Sequence, residues 1–384
     1  MATKRSPVAV RIFGGRWHDR KNGTAQAPED PWAALRGMVG AGPDHAAFPT
    51  RRRRLEELRA GERFLLIRKL GGLGDILVTS MIFPDLRDQY PDIETTYAIP
   101  KLYHPLFAGS GVRVIDYADV YGRVGPHYGP DSEFHRSGIR RESLETYDLI
   151  EDISRPCHHW EVLMRQYQTI DGARGLTWRN RLDRWTRWFG LTVRNPRTCI
   201  RLDPTEITAM RARFPRSTKP VLLWSPVSAG ANRSYPWFSD VTHALSQDFS
   251  VVYLHHEAIG PSTLTGLSLR EMGAACAAAD CILSVDTSTF HWGGILHKPT
   301  VGLFNLLLGE SHAQYYPTAR TLQLCPTPCI GAYYPDRPIC GRAHGQRSLQ
   351  GAAGRFFSAC YFPGSVVQIA DAVRALWREP CATS

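Results

Sequence analysis

The sequence has no run of about 18 consecutive apolar residues, the length a membrane-spanning helix needs, so no bilayer-crossing helix is expected. It also lacks an apolar stretch near its start. MATKRSPVAVRIFGGRWHDRKNG carries charges and glycines where a secretory leader has its hydrophobic segment, so a soluble, cytoplasmic protein is expected. Cysteines at C-x-x-C spacing are missing. The nine cysteines are odd in number and scattered, which reads as reduced thiols rather than a disulfide framework. Lysine is scarce, with only six residues, so forty of the 46 basic side chains are arginine. Arginine's planar fork suits phosphate and carboxylate, and a formal charge of +10 points to an anionic partner. A phosphorylated lipid, a nucleotide-linked substrate, nucleic acid and peripheral contact with an anionic membrane surface all fit that charge. Charge alone does not choose among them.

What is present has an ordinary globular balance, 43% hydrophobic and 21% charged, which excludes wholesale disorder. A chain of 384 residues exceeds what one core usually supports, at ~100–200 residues per domain, so two domains are expected. Residues 1–61 stand apart as a basic N-terminal extension. They hold Gly14-Gly15, the pairs Lys4-Arg5 and Arg20-Lys21, a polar stretch from Asn22 to Asp30, and the run Arg51-Arg52-Arg53-Arg54. A short helix fits near Trp32–Met38. The stretch reads either as an arm that binds something or as a solvated arm without a ligand.

From Arg63 a strand–helix rhythm begins. Phe64–Ile67 is a short apolar run ended by glycines, as a buried parallel strand would be, and Ile76–Leu86 fits a packed helix despite Pro84. Thr95–Ile99, Val112–Ile115 and Tyr147–Ile150 read as strands, Leu102–Phe107 and Asn180–Phe189 as helices, and residues 118–142 as an irregular excursion. After a Pro-containing linker near Val193–Leu202 the rhythm repeats. Asp203-Pro204-Thr205-Glu206 offers an N-cap, a first-turn proline and an acid at the third helical position. Strands follow at Pro220–Trp224, Val251–Leu254, Ile282–Val285 and Thr300–Phe304. Helices follow at Trp237–Leu245, Leu269–Ala277, Thr287–Leu296 and Val366–Trp377. The reading is an α/β protein with two α/β domains, residues 62–198 and 199–384, flanking a cleft.

Two loops carry the chemistry. In Lys69-Leu70-Gly71-Gly72-Leu73-Gly74-Asp75, glycines Gly71, Gly72 and Gly74 let a ligand or another chain approach the backbone ahead of a helix N-terminus. The dinucleotide pattern G-x-G-x-x-G fails here because Leu77 stands where the third glycine belongs, and the next strand ends without the expected acid. Asp75 reads as a helix N-cap, or as a weak base aimed at a hydroxyl; the two roles are compatible. The second loop, Ser284-Val285-Asp286-Thr287-Ser288-Thr289-Phe290-His291, leaves a strand end and enters a helix, where open α/β sheets bind ligands. Its amide and hydroxyl groups can cradle a diphosphate, and Asp286 can hold sugar hydroxyls. The bland alternatives are a helix cap and, for His291, a buried helix histidine. Arg233, in the loop Pro226–Pro236, can neutralise a leaving diphosphate or be a surface cation. Glu257, after His255-His256, can hold a ribose. No H-E-x-x-H spacing occurs there, which excludes a zinc protease of that type.

Together these residues resemble the ADP-heptose–lipopolysaccharide heptosyltransferases, glycosyltransferase family nine. The likeness lies in LLIRKLGGLGDILVTSMIFPDLRDQYPD (Leu65–Asp92), in SLREMGAACAAADCILSVDTSTFHWGGILHKPTVGLFN (Ser268–Asn305), close to that family's D-T-G-x-x-H block, and in Arg233-Ser234-Tyr235-Pro236, similar to its K-x-W-P. It covers roughly residues 62–378 and leaves the extension out. Ser288 stands in place of the motif glycine and Arg233 in place of the lysine. The resemblance implies a GT-B fold and inverting, metal-independent transfer from a nucleotide sugar, ADP-heptose in the best-known members, with no cofactor. It implies Asp75 as general base, Arg233 and Thr287 on the diphosphate, Glu257 on the ribose and Asp286 on the donor sugar, with Ser288 and His291 in the same donor-binding block.

Cys325, Cys329, Cys340 and Cys360 resemble the C-terminal cysteine cluster of many members. Their spacing is loose for zinc and reads as free thiols, without a metal. The expected acceptor is an anionic glycan or lipid such as lipopolysaccharide core. Two acceptor alternatives stand beside it: hydroxylated bases of DNA gripped through the Arg51–Arg54 arm, and a protein side chain. A binding protein of the same fold that has lost turnover is the non-enzymatic alternative, motivated by Ser288 and the long extension.

Overall fold

In the computed structural model the first apolar run forms strand β1 (Arg63–Ile67), buried from Phe64 onward as a central parallel strand requires. The structure describes residues 54–68, 72–120, 140–153, 180, 182–183, 185–186, 190–228, 233–305, 309–324, 349–350, 356–357 and 365–379. The Trp32–Met38 helix, Arg51–Arg53, Gly71, most of the 118–142 excursion and the four C-terminal cysteines lie outside these residues.

Beyond β1 come helices α1 (Leu73–Ser80) and α2 (Ile82–Gln89), then strands β2 (Glu94–Ile99), β3 (Arg113–Asp116) and β4 (Leu149–Asp152). The four strands form one parallel sheet in the order β3-β2-β1-β4, with Leu65 opposite both Thr96 and Ile150. The chain builds outward from β1 to β3 and then returns to β1's other side, so strand order reverses between β1 and β4. Two expectations are corrected here. The helix read over Ile76–Leu86 is two helices that break at Met81, and Pro84 is the third residue of α2, where an amide has no helical partner to lose. The strand read at Tyr147–Ile150 lies two residues later, because the Asp148 carboxylate turns back to accept the Arg63 amide proton at 2.8 Å.

Phe107 packs edge to face on both Phe83 and Tyr97, which are tilted against each other, in the first core. Leu55, inside the stretch read as an extension, is fully buried in that same core. Folded chain therefore reaches back at least to Arg54, which pairs with Glu56 at 3.5 Å.

The second half follows its sequence pattern to within about a residue. Helix α3 (Pro204–Ala212) starts with the expected reciprocal cap, Asp203 accepting from the Thr205 amide and Glu206 from the Asp203 amide. Next come β5 (Val221–Ser225), α4 (Phe238–Leu245), β6 (Ser250–Leu254) and β7 (Thr263–Leu264). They are followed by α5 (Leu269–Ala278), β8 (Cys281–Val285), α6 (Ser288–Ile295) and β9 (Thr300–Phe304). The chain then forms α7 (Gly309–Ala313), β10 (Ala319–Gln323) and, after a short hairpin, α8 (Ser365–Arg378). A parallel sheet of order β10-β9-β8-β5-β6-β7 results, with β5, β8 and β9 buried along their whole lengths. Its order reverses between β5 and β8. No helix among the described residues is long and apolar enough to cross a membrane.

Among the described residues the halves meet at several places. Helix α1 packs against α6. Arg270 of α5 donates to the Pro105 carbonyl, in the 3₁₀ turn Lys101–Phe107, at 3.2 Å. The Asn180 side chain donates to the Ser311 carbonyl of α7 at 2.9 Å, while Asp183 accepts from Gln314 at 3.0 Å and from Tyr315.

Candidate functional site

A parallel α/β sheet leaves a crevice at the carboxyl ends of the two strands where its order reverses, because the helices that follow them lie on opposite faces. This molecule has two such places, β1/β4 and β5/β8. Both carry the loops singled out in the sequence.

At β1/β4, Asp75 is the third residue of α1. Its Oδ2 accepts the Gly72 amide proton at 3.1 Å, so Asp75 closes the helix start from the third position, and Gly72 rather than Asp75 is the N-cap. Its Oδ1 lies 3.1 Å from a guanidinium nitrogen of Arg68. Arg68 escaped the sequence reading. It is the residue just after β1, almost wholly buried, donating to the Ile153 carbonyl beyond β4 at 3.2 Å and lying over the Trp185 ring at 4.4 Å. It thereby spans the crevice and fixes the Asp75 carboxylate from beneath. A charge at the end of an apolar strand was the available signal. Asp75 keeps some exposure at its side chain, 14%, against 3% for Arg68. The neighbouring Tyr97 is no competing base: desolvation holds its hydroxyl well above the ordinary range, so it stays protonated.

At β5/β8, Arg233 reaches across from the loop after β5. It donates to the Asp286 carbonyl at 3.0 Å and lies 3.4 Å from the Asp286 carboxylate. Thr287 is the N-cap of α6. Its hydroxyl accepts from the Thr289 amide at 3.3 Å and lies 3.1 Å from Ser284 Oγ. Ser288, the first residue of α6, has an ordinary backbone: among the described residues only His297 is a non-glycine at positive φ. The chain's own conformation therefore does not require the motif glycine at that position. A cation, a helix N-terminus and two hydroxyls thus converge on one spot, an arrangement suited to a dianionic phosphate group.

The two spots adjoin. A Cβ on Gly74 would stand 2.7 Å from His291 Cδ2, so only glycine lets the first turn of α1 close on the first turn of α6. Gly72 differs: among the described residues a Cβ there would meet nothing within 4 Å, so none of them demands a glycine. His291 is buried and its Nδ1 is 2.9 Å from the Tyr316 hydroxyl. The structure thus places it as a contact between the halves. Glu257 stands apart on the same carboxyl edge, just after β6, exposed and 3.6 Å from His256 Nε2.

No protein-family profile matches the chain, and no curated protein matches it by sequence. Solved structures match its fold. A glycosyl transferase of family 9 from Veillonella parvula is 15% identical, with 83% of this chain and 98% of that one covered and a TM-score of 0.55. The ADP-heptose LPS heptosyltransferase II of E. coli is also 15% identical, covering 82% and 98%, with a TM-score of 0.53. TibC, a dodecameric iron-containing heptosyltransferase of enterotoxigenic E. coli, in complex with ADP-D-β-D-heptose is 14% identical, covering 84% and 77%, with a TM-score of 0.50.

Proposed function

We propose, from a chain with the GT-B fold of the family 9 glycosyltransferases, an inverting transfer of a sugar from a nucleotide-sugar donor to an anionic acceptor. The donor is ADP-heptose-like and the acceptor a glycan or lipid such as lipopolysaccharide core. One observation carries this reading: the helix turn bearing Asp75 is packed on the helix turn capped by Thr287, through Gly74 and His291.

In this reading Asp75 takes the proton of an acceptor hydroxyl. The oxygen attacks the anomeric carbon from the face opposite the leaving group. A bond from that carbon to the acceptor oxygen forms as its bond to the diphosphate oxygen breaks, and the configuration inverts. The electron pair leaves with the diphosphate, whose charge Arg233 and the amide end of α6 stabilise. Asp286 holds the donor sugar, Glu257 the ribose, and Ser288 adds a hydroxyl at the first turn. The transfer step uses no metal or cofactor. His291 keeps the two turns in register, which aligns acceptor and donor. Open space around Gly72 supports the approach of an acceptor there.

Turnover of Asp75→Asn, measured with a nucleotide sugar that wild type consumes, is expected to fall on the order of 10²–10⁴-fold. Near-normal turnover would reject Asp75 as the base. A second reading has its own observation. Both Asp75 oxygens already have partners, Arg68 and the Gly72 amide, as in a protein of this fold that binds nucleotide without turnover. Tight nucleotide binding by wild type, with neither hydrolysis nor transfer from any nucleotide sugar, would favour it.

A further inference from the structure

We propose that His255, His256 and Glu257 form a binding site for a first-row divalent metal ion of the zinc type. In an extended strand three successive side chains alternate between faces and cannot share a ligand. Strand β6 ends at Leu254, however, and the chain turns immediately, bringing one ligand atom from each of the three residues within 4.8 Å of one another. The two imidazole rings lie 4.0 Å apart between centroids, and Glu257 Oε1 is 3.6 Å from His256 Nε2.

A tetrahedral ion with ligand bonds of ~2.0–2.2 Å needs donor atoms roughly 3.5 Å apart, so closure requires a contraction of about 1 Å. The site is built to allow it. His255 is anchored to the sheet, its amide donating to the Leu264 carbonyl of β7 at 3.3 Å. His256 and Glu257 are 75% and 59% exposed at their side chains, so they can rotate inward without disturbing the core. His255 Nδ1 lies 3.0 Å from the Glu257 carbonyl. The Glu257 amide lies 3.0 Å from the same nitrogen and donates to it, so this turn fixes the orientation of the ring without setting its tautomer. Two imidazoles and one carboxylate suit zinc and its neighbours, whereas magnesium and calcium call for oxygen ligands. Solvent water completes the coordination.

The site shares Glu257 with the ribose contact of the sugar-transfer reading, so ion and donor would compete for that carboxylate; its test contains no nucleotide, so its failure leaves that reading untouched. Full-length chelator-treated protein is titrated calorimetrically with zinc chloride, beside His256→Ala and Glu257→Gln. Both changes are at exposed positions and leave the fold intact, and every other cysteine and histidine is common to all three proteins. Wild type is expected to take up about one equivalent more than His256→Ala, and Glu257→Gln to bind at that site at least on the order of tenfold more weakly. Magnesium chloride is expected to give no heat and no competition. Equal zinc stoichiometry and affinity in wild type and both variants overturns the proposal. So does an absence of zinc binding by wild type, or displacement of zinc by magnesium.

Discussion

An aspartate in the first turn of a helix is stabilised as the anion by the amides around it, and Asp75 has a buried guanidinium beside it as well. Those two partners, one on each carboxylate oxygen, hold the group in place. For a hydroxyl that gains acidity only as it attacks, position matters more than basicity. Arg68 is the positioning residue in this account. Replacing it with Met removes a buried cation that also holds the Ile153 carbonyl and the Trp185 ring. Urea unfolding of Arg68→Met is expected to show a loss on the order of 1–3 kcal/mol. Combined with Asp75→Asn, the loss should fall short of the sum of the single changes by 0.5 kcal/mol or more, on the order of what contacting charges show. Additive losses would mean the 3.1 Å pair contributes nothing. No residue pattern announced Arg68: a lone charge after an apolar strand is common, and its value comes from β4, which approaches β1 only in the folded sheet.

The elements read in the second half match almost residue by residue, for a physical reason, whereas β7, α7 and the edge strand β10 went unread. β5, β8 and β9 are buried on both faces, so each is a mostly apolar run, interrupted only by small residues such as Ser284 and Gly302. The caps of α3 and α5 are written as Asp203–Glu206 and Ser268–Glu271. The first half obeys the same rules less openly. β4 contains buried Glu151, a charge that breaks the apolar signal, and the α1/α2 break occurs inside a continuous apolar stretch. Contacts between elements left no local mark. Arg270 illustrates this: from α5 it holds Glu206 of α3 at 2.6 Å, the Arg201 carbonyl at 3.0 Å and the Pro105 carbonyl of the other half. Its hydrogen bond depresses the Glu206 carboxyl below the usual value of 4.5. The stabilisation is therefore present above about pH 4.5 and fades as pH falls through the lower, folded-state value. Thermal unfolding of Glu206→Gln should show a deficit of up to about 1 kcal/mol at neutral pH, modest because the pair is partly exposed. Well below pH 4.5 the deficit should vanish; a deficit independent of pH would assign the effect to packing.

At the scale of the whole molecule, two parallel sheets each reverse their strand order once, and the chain sets the two reversals against each other. Composition and pattern pointed to two α/β halves; that Gly74 is small because His291 lies against it could be learned only from the fold. The consequence is a carboxylate, Asp75, on a helix turn of one half beside the first turn of α6, capped by Thr287, in the other, which is the arrangement the proposed transfer uses. The claim at the centre is the proposal that Arg233 and Thr287 make a diphosphate site, with Asp286 beside it for the donor sugar. It is tested most directly by thermal unfolding of wild type and Arg233→Met across a panel of nucleoside diphosphates and nucleotide sugars. A ligand at 100 times its dissociation constant adds about 2.7 kcal/mol, several degrees for a protein of this size. The account predicts that at least one nucleoside diphosphate or its sugar raises the midpoint of wild type by that amount and leaves Arg233→Met nearly unmoved. No shift with any member of the panel, or the same shift in both proteins, would contradict it.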